Sequence, residues 1–198
     1  MAKCAAVRWL GVAVVIIILL VEPGSAQAPS GGLEYRVLAT SRTATMESEL
    51  IEAAEAGFQF NAVMGGETTF GGSEVVVVMS RGGQATGRYA YRLLATSRTS
   101  TMQEELQQAA DEGYHYRGQT VFETTFGGDE VVVILERDED AAPQGFEYQL
   151  LATSRTETLQ NELLEAGASG YEVIGMTVAK TAFGGSELVA ITRRPKLQ

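Results

Sequence analysis

Three copies of A-T-S-R-T, at residues 39–43, 95–99 and 152–156, sit inside a longer self-similarity. Residues 35–81, 91–137 and 148–194 align without a gap at offsets of 56 and 57. Repetition at this period constrains the fold more than any single motif, because one supersecondary unit must be built three times and fill a core each time. The stretches between copies, G-G-Q-A-T-G-R at 82–88 and D-E-D-A-A-P-Q-G at 138–145, are rich in turn and polar residues and read as linkers. The repeats then occupy 33–81, 89–137 and 146–194, with a short tail at 195–198.

Within a unit the periodicity changes three times. E-Y-R-V-L-A-T at 34–40 alternates as a strand does. Next, Met46, Leu50, Ala53 and Ala54 fall at i, i+4, i+7 and i+8, one apolar stripe of a helix, and Met102, Leu106, Ala109 and Ala110 repeat it. Gly57, Gly113 and Gly170 follow, where a helix ends in a left-handed cap. A second strand begins at Phe58, Tyr114 and Tyr171. A turn at F-G-G then leads into E-V-V-V-V-M, E-V-V-V-I-L or E-L-V-A-I-T. That last run is apolar almost throughout, as in a central strand buried on both faces. Each unit therefore reads as βαββ, and the chain as α+β: three tandem βαββ repeats, each a small mixed sheet with one helix. A unit of about 50 residues buries too little surface to stand alone. Pseudo-threefold packing of the repeats is the expected arrangement, and a row of separate small domains is the second.

Residues 1–28 read as a targeting segment. Lys3 and Arg8 precede an unbroken apolar run at 10–21, too short to span a bilayer, where about 20 residues are needed. Small residues at Gly24, Ser25, Ala26 and Ala28 suit signal-peptide cleavage near 26 or 28. Retention as an uncleaved anchor is the competing reading. Cleavage would remove Cys4 and Trp9, the sole cysteine and tryptophan, and leave an exported chain without disulfides. The expected address is secreted or periplasmic, with no stable membrane span after cleavage.

His115 is the one histidine, and Gln59 and Glu172 hold its place in the other repeats. Histidine-based zinc sites and Ser-His-Asp triads each need such a residue at fixed geometry, so neither is expected. No catalytic residue, metal ligand set or cofactor is assigned. The formal net charge is −10, which opposes nucleic-acid binding because that needs a positive field.

Repeat three also carries a resemblance. Its E-Y-Q-L-L followed by L-Q-N-E-L-L-E-A-G-A-S-G-Y-E-V-I is similar to the small bacterial domain-of-unknown-function 4177 family, on Tyr148, Leu159, Leu163, Gly170, Tyr171 and Glu172. Repeats one and two depart from it, with Phe58-Gln59 and Tyr114-His115 at the aromatic-acid pair. The resemblance implies a βαββ-type fold and brings no activity and no catalytic residue.

The A-T-S-R-T segments and F-G-G turns are expected at the same end of every unit, since strands one and two should run in the same direction. That end would gather Ser41, Arg42 and Thr43, Ser97, Arg98 and Thr99, and Ser154, Arg155 and Thr156. Phe70, Phe126 and Phe183 would stand beside them. Two readings stay open. In the structural one, Thr43 or Thr45 caps the helix, Thr101 and Glu104 form a capping box, and each arginine pairs with a nearby glutamate. In the functional one, hydroxyls, guanidinium groups and helix N-termini together hold a phosphate, sulfate or carboxylate. The partner would be an anionic small molecule or another envelope protein. A small acid/base hydrolase using loop-end carboxylates, drawn from Glu49, Glu105, Glu162, Glu74, Glu130 and Glu187, is the alternative.

Overall fold

The computed structural model describes residues 32–68, 72–82, 87–96, 98–123, 129–180 and 185–196. Residues 1–31, with the stretch expected to act in targeting, lie outside them, as do Ser97, Phe70, Phe126, Phe183 and most of the F-G-G turns. Gly31–Gln198 forms one compact unit. It contains β1 (Glu34–Thr40), α1 (Thr43–Glu55), β2 (Gln59–Thr68), β3 (Gly72–Arg81), β4 (Tyr89–Thr96), α2 (Thr99–Asp111), β5 (His115–Glu123), β6 (Asp129–Asp138), β7 (Phe146–Thr153), α3 (Thr156–Ala168), β8 (Glu172–Lys180) and β9 (Ser186–Pro195). These are three βαββ units in succession.

Each sheet has three strands, ordered β1-β3-β2, β4-β6-β5 and β7-β9-β8. Every neighbouring pair is antiparallel, which corrects the expectation of mixed sheets. β1 and β2 do share a direction, but β3 lies between them. The physical reason is burial: β3, β6 and β9 are the most apolar strands and take the only position flanked on both edges. Val75, Val77 and Met79 of β3 are buried, as are Val131, Val133 and Leu135 of β6.

Each helix packs its stripe on its own sheet through Met46, Leu50 and Ala53, through Met102, Leu106 and Ala109, or through Leu159 and Ala166. The glycine caps form as the sequence predicts. Gly57, Gly113 and Gly170 have φ of 84°, 87° and 84°. Gly57 N–H donates to Ala54 O at 2.8 Å and Phe58 N–H to Ala53 O at 3.0 Å, with matching pairs in units 2 and 3. This double bond pattern is the Schellman motif.

The N-terminal ends differ from expectation. The helices start at Thr43, Thr99 and Thr156, so Arg42, Arg98 and Arg155 hold the cap positions, and no side chain caps any of the three. Thr43, Thr45 and the Thr101–Glu104 pair lie within the helices instead. An arginine cannot accept a hydrogen bond. The corner is fixed one step earlier, where Thr40, Thr96 and Thr153 hydroxyls accept from the N–H of Arg42, Arg98 and Arg155 at 3.2, 3.2 and 3.3 Å.

The units pack in sequence order. Sheet two lies between two helix layers: Tyr91, Phe122, Val132 and Ile134 join the core of unit 1, whereas Leu94, Val131, Val133 and Leu135 face α2. Unit 3 repeats this, with Phe146, Tyr148 and Ile191 entering the core of unit 2. α1 and α2 thus each serve two sheets, their own and the next one along the chain, whereas α3 packs on its own sheet.

Candidate functional site

The loop end is built by strand register. β1 leaves its sheet at the pair Thr40↔Val75, whereas β2 and β3 continue to Thr68↔Gly72. β4 and β7 end likewise at Thr96↔Val131 and Thr153↔Leu188, with the neighbouring hairpin running on. The A-T-S-R-T corner therefore lies at the same end of each unit as the ends of β2, β5 and β8. Gly72, which opens β3 there, has φ 72°, a conformation glycine adopts freely.

Ser41, Arg42, Arg98, Ser154, Arg155 and Thr156 are exposed at this end, and Thr43 and Thr99 open their helices. Units meet there too. A groove of about 250 Å³ is lined by Thr43, Ala44 and Glu47 of α1, Leu93 and Ala95 of β4, and Glu105 of α2. It joins the corner of unit 1 to that of unit 2.

Among the described residues, no hydrogen bond or ion pair engages the side chains of Arg42, Arg98 and Arg155. The expected Arg–Glu pairing at the corner is therefore not seen among the described residues. The other described arginines are occupied. Arg81 pairs with Glu34 at 2.8 Å, Arg88 with Asp140 at 3.0 Å, Arg193 with Glu172 at 3.0 Å and Arg194 with Glu147 at 2.6 Å. Arg92 pairs with Glu112, Arg117 with Glu136 and Arg137 with Glu139. Arg36 lies over the Phe58 ring, 4.4 Å from its centroid.

Three of those arginines form a repeated device that the motif reading did not single out. Arg81, Arg137 and Arg194 stack over Phe58, Tyr114 and Tyr171 at 4.6, 4.9 and 4.6 Å. Each also donates to the carbonyl that ends its helix, Ala56 O, Glu112 O or Ser169 O. A cation at a helix C-terminus satisfies orphan carbonyls and the helix dipole together. The signal was present in the sequence, as an arginine closing every aligned repeat.

The seams between units hold buried polar groups. A β-bulge between Phe60 and Ala62 frees the Phe60 N–H, which donates to the Tyr91 hydroxyl at 2.8 Å. That hydroxyl donates to Glu136 at 2.5 Å, and Gln59 Nε2 reaches the same carboxylate at 3.3 Å. At the second seam Tyr116 N–H donates to the Tyr148 hydroxyl at 3.0 Å. Gln103 there spans the free edge of β7, donating to Tyr148 O at 2.8 Å and accepting from Leu150 N–H at 2.7 Å. Burial pushes the Tyr116 phenol up to about 12. Burial, then the bond to Glu136, raises that of Tyr91.

His115 lines a cleft of about 480 Å³ together with Arg88, Glu112, Arg137 and Glu139. Its ring meets Phe146 edge-on at 5.1 Å. Burial, then the charge of Arg193, holds its pKa below the ordinary value. Glu112 and Glu139 in this cleft are tied to arginines, and Asp138, which also lines it, accepts from the Asp140 N–H at 2.9 Å. Among the described residues, no group of three or more His, Cys, Asp or Glu side chains is placed to hold a metal ion. Nor is any helix there long and apolar enough to cross a membrane. No protein-family model matches the chain, and no curated protein or solved structure matches it either.

Proposed function

We propose that the chain is an exported, non-enzymatic binding or assembly module that recognises an anionic ligand at its loop end. The observation that carries this is the division of labour among the arginines. Those within the sheets are paired or stacked, whereas Arg42, Arg98 and Arg155, one per unit and at equivalent corners, are exposed and have no side-chain partner among the described residues. In a chain of net charge −10, three exposed guanidinium groups beside helix N-termini suit phosphate, sulfate or carboxylate. Export rests on the basic start and apolar run of residues 1–28. Kinship with the domain-of-unknown-function 4177 family, carried by Tyr148, Leu159, Gly170 and Tyr171, belongs to the same proposal. Successive packing of the units favours an open row over a closed pseudo-threefold ring.

The hydrolase alternative draws less support. Glu47 and Glu105 share a groove, but the Glu47 carboxylate is held by Leu93 N–H at 3.1 Å. Moreover, Gln103 and Gln160 replace Glu47 in the other units, so the pair does not recur. The test is the triple variant Arg42→Ala, Arg98→Ala and Arg155→Ala, melted with and without sulfate or inorganic phosphate. The expected result is a wild-type melt without the anion and loss of the anion-dependent rise. A variant that retains the full rise, or a wild type that shows none, refutes the anion site.

A further inference from the structure

The seam between units occurs twice inside the chain, and both of its halves occur a third time with nothing among the described residues against them. The receiving half is the outer face and free edge of a sheet. Tyr91 and Tyr148, on that half in units 2 and 3, are each 4% exposed, whereas Tyr35, at the same position in unit 1, is 60% exposed. Leu33, Val37 and Met64 are exposed on the same face. The covering half is a helix plus the inner side of its second strand. In unit 3 it consists of α3 and β8, and it exposes Leu164, Val173, Met176 and Val178. Val173 stands where Phe60 and Tyr116 stand at the internal seams, and Met176 where Val63 and Gln119 stand. Of the nine large apolar side chains exposed among the described residues, Ile51 alone falls on neither end face. Such patches mark interaction surfaces, since monomers keep contiguous apolar surface small.

We propose that a second copy of this chain is the partner, joined head to tail, so that α3 and β8 of one molecule cover the sheet-one face of the next. The argument is continuity with the two seams already present. Gln160 on α3 occupies the position of Gln103. It would bridge Tyr35 O and Val37 N–H as Gln103 bridges Tyr148 O and Leu150 N–H. The freed N–H at the β8 bulge, Val173, would donate to the Tyr35 hydroxyl, as Phe60 and Tyr116 donate to Tyr91 and Tyr148. Ala62 is small where Gly118 and Gly175 already let a neighbour approach. Charges agree as well: where Gln59 meets Glu136, the new seam sets Glu172 against Ser80, with no like charge opposed. Unit 3 also lacks the cover that its copies have, since Leu163 is half-buried whereas Leu50 and Leu106 are fully buried. The interface is heterologous, so it propagates into rings or filaments instead of stopping at a symmetric pair.

The test uses sedimentation of the full chain and of two variants, Val37→Lys on the receiving face and Met176→Lys on the covering face. Ser48→Lys serves as a charge-matched control. The wild type and the control should associate in a concentration-dependent way, and each end variant should associate at least about tenfold more weakly. Mixing the two end variants should restore a heterodimer that grows no further, because each supplies the face the other has lost. Substituting Arg42, Arg98 and Arg155 by Ala should leave association intact, which separates this interface from the loop-end reading. Three results overturn the proposal: a wild type that remains monomeric, association unaffected by both end variants, or no heterodimer from the mixture. If either lysine variant loses the wild-type circular dichroism spectrum, Val37→Ser and Met176→Ser take its place under the same criteria.

Discussion

Replacing Tyr91 by Phe removes one oxygen from the first seam and leaves the ring packing intact. That oxygen accepts the Phe60 N–H at 2.8 Å and donates to Glu136 at 2.5 Å. Without it a buried N–H freed by the bulge has no acceptor, at a cost of about 1–3 kcal/mol. Glu136 keeps Gln59 at 3.3 Å and Arg117 at 3.5 Å, so its carboxylate stays partly satisfied and adds about 1 kcal/mol at most. A loss of about 2–3 kcal/mol is expected, which lowers the melting temperature by about 5–10 °C in a chain of this length. Tyr35→Phe is the matched control, because the same residue type in unit 1 has an exposed side chain. It should stay within about 0.5 kcal/mol of wild type. Urea and thermal unfolding, at protein concentrations low enough to keep molecules separate, measure both. If Tyr91→Phe and Tyr35→Phe unfold within about 0.5 kcal/mol of one another, the buried hydroxyl does not hold the seam and the reasoning fails.

Gly57→Ala probes the helix cap alone, since an added Cβ would meet nothing within 4 Å while φ stays at 84°. The left-handed conformation should cost about 1–2 kcal/mol in unfolding free energy, and a neutral result would refute the backbone argument. At high pH the buried tyrosines decide stability. Their folded pKa values lie above the unfolded value of 10, at about 12 for Tyr116 and also raised for Tyr91 and Tyr148. Their contribution is therefore present in full below pH 10 and is lost as pH rises through the folded values. Tyrosinate absorbance and unfolding free energy, followed together, should fall into step above pH 10. Stability that rises there would refute the sign.

The local structure was legible because it is written in periodicity. The apolar stripe of Met46, Leu50 and Ala53 and the glycine at position 57 took the predicted form, and the continuous valines of β3 mark the central strand, although Val76 and Val78 on its outer face are only half-buried. The loop end was legible in part. Strand direction placed Arg42, Arg98 and Arg155 at one end of their units, but the sequence could not say whether they were paired. Helix capping was misread because a threonine near a helix start is compatible with several registers. Only the start at Thr43 shows that Arg42 holds the cap and that Thr40 makes the turn.

Repetition by itself determined that three βαββ units would form, where each helix ends and which strand is most buried. Tertiary structure alone decided which copy of a repeated residue is covered. Tyr35, Tyr91 and Tyr148 stand in near-identical local sequences, yet two are sealed in seams and one faces outward. The difference arises because burial on the outer face of a sheet depends on the unit that precedes it in the stack. For unit 1 the described residues supply no such unit.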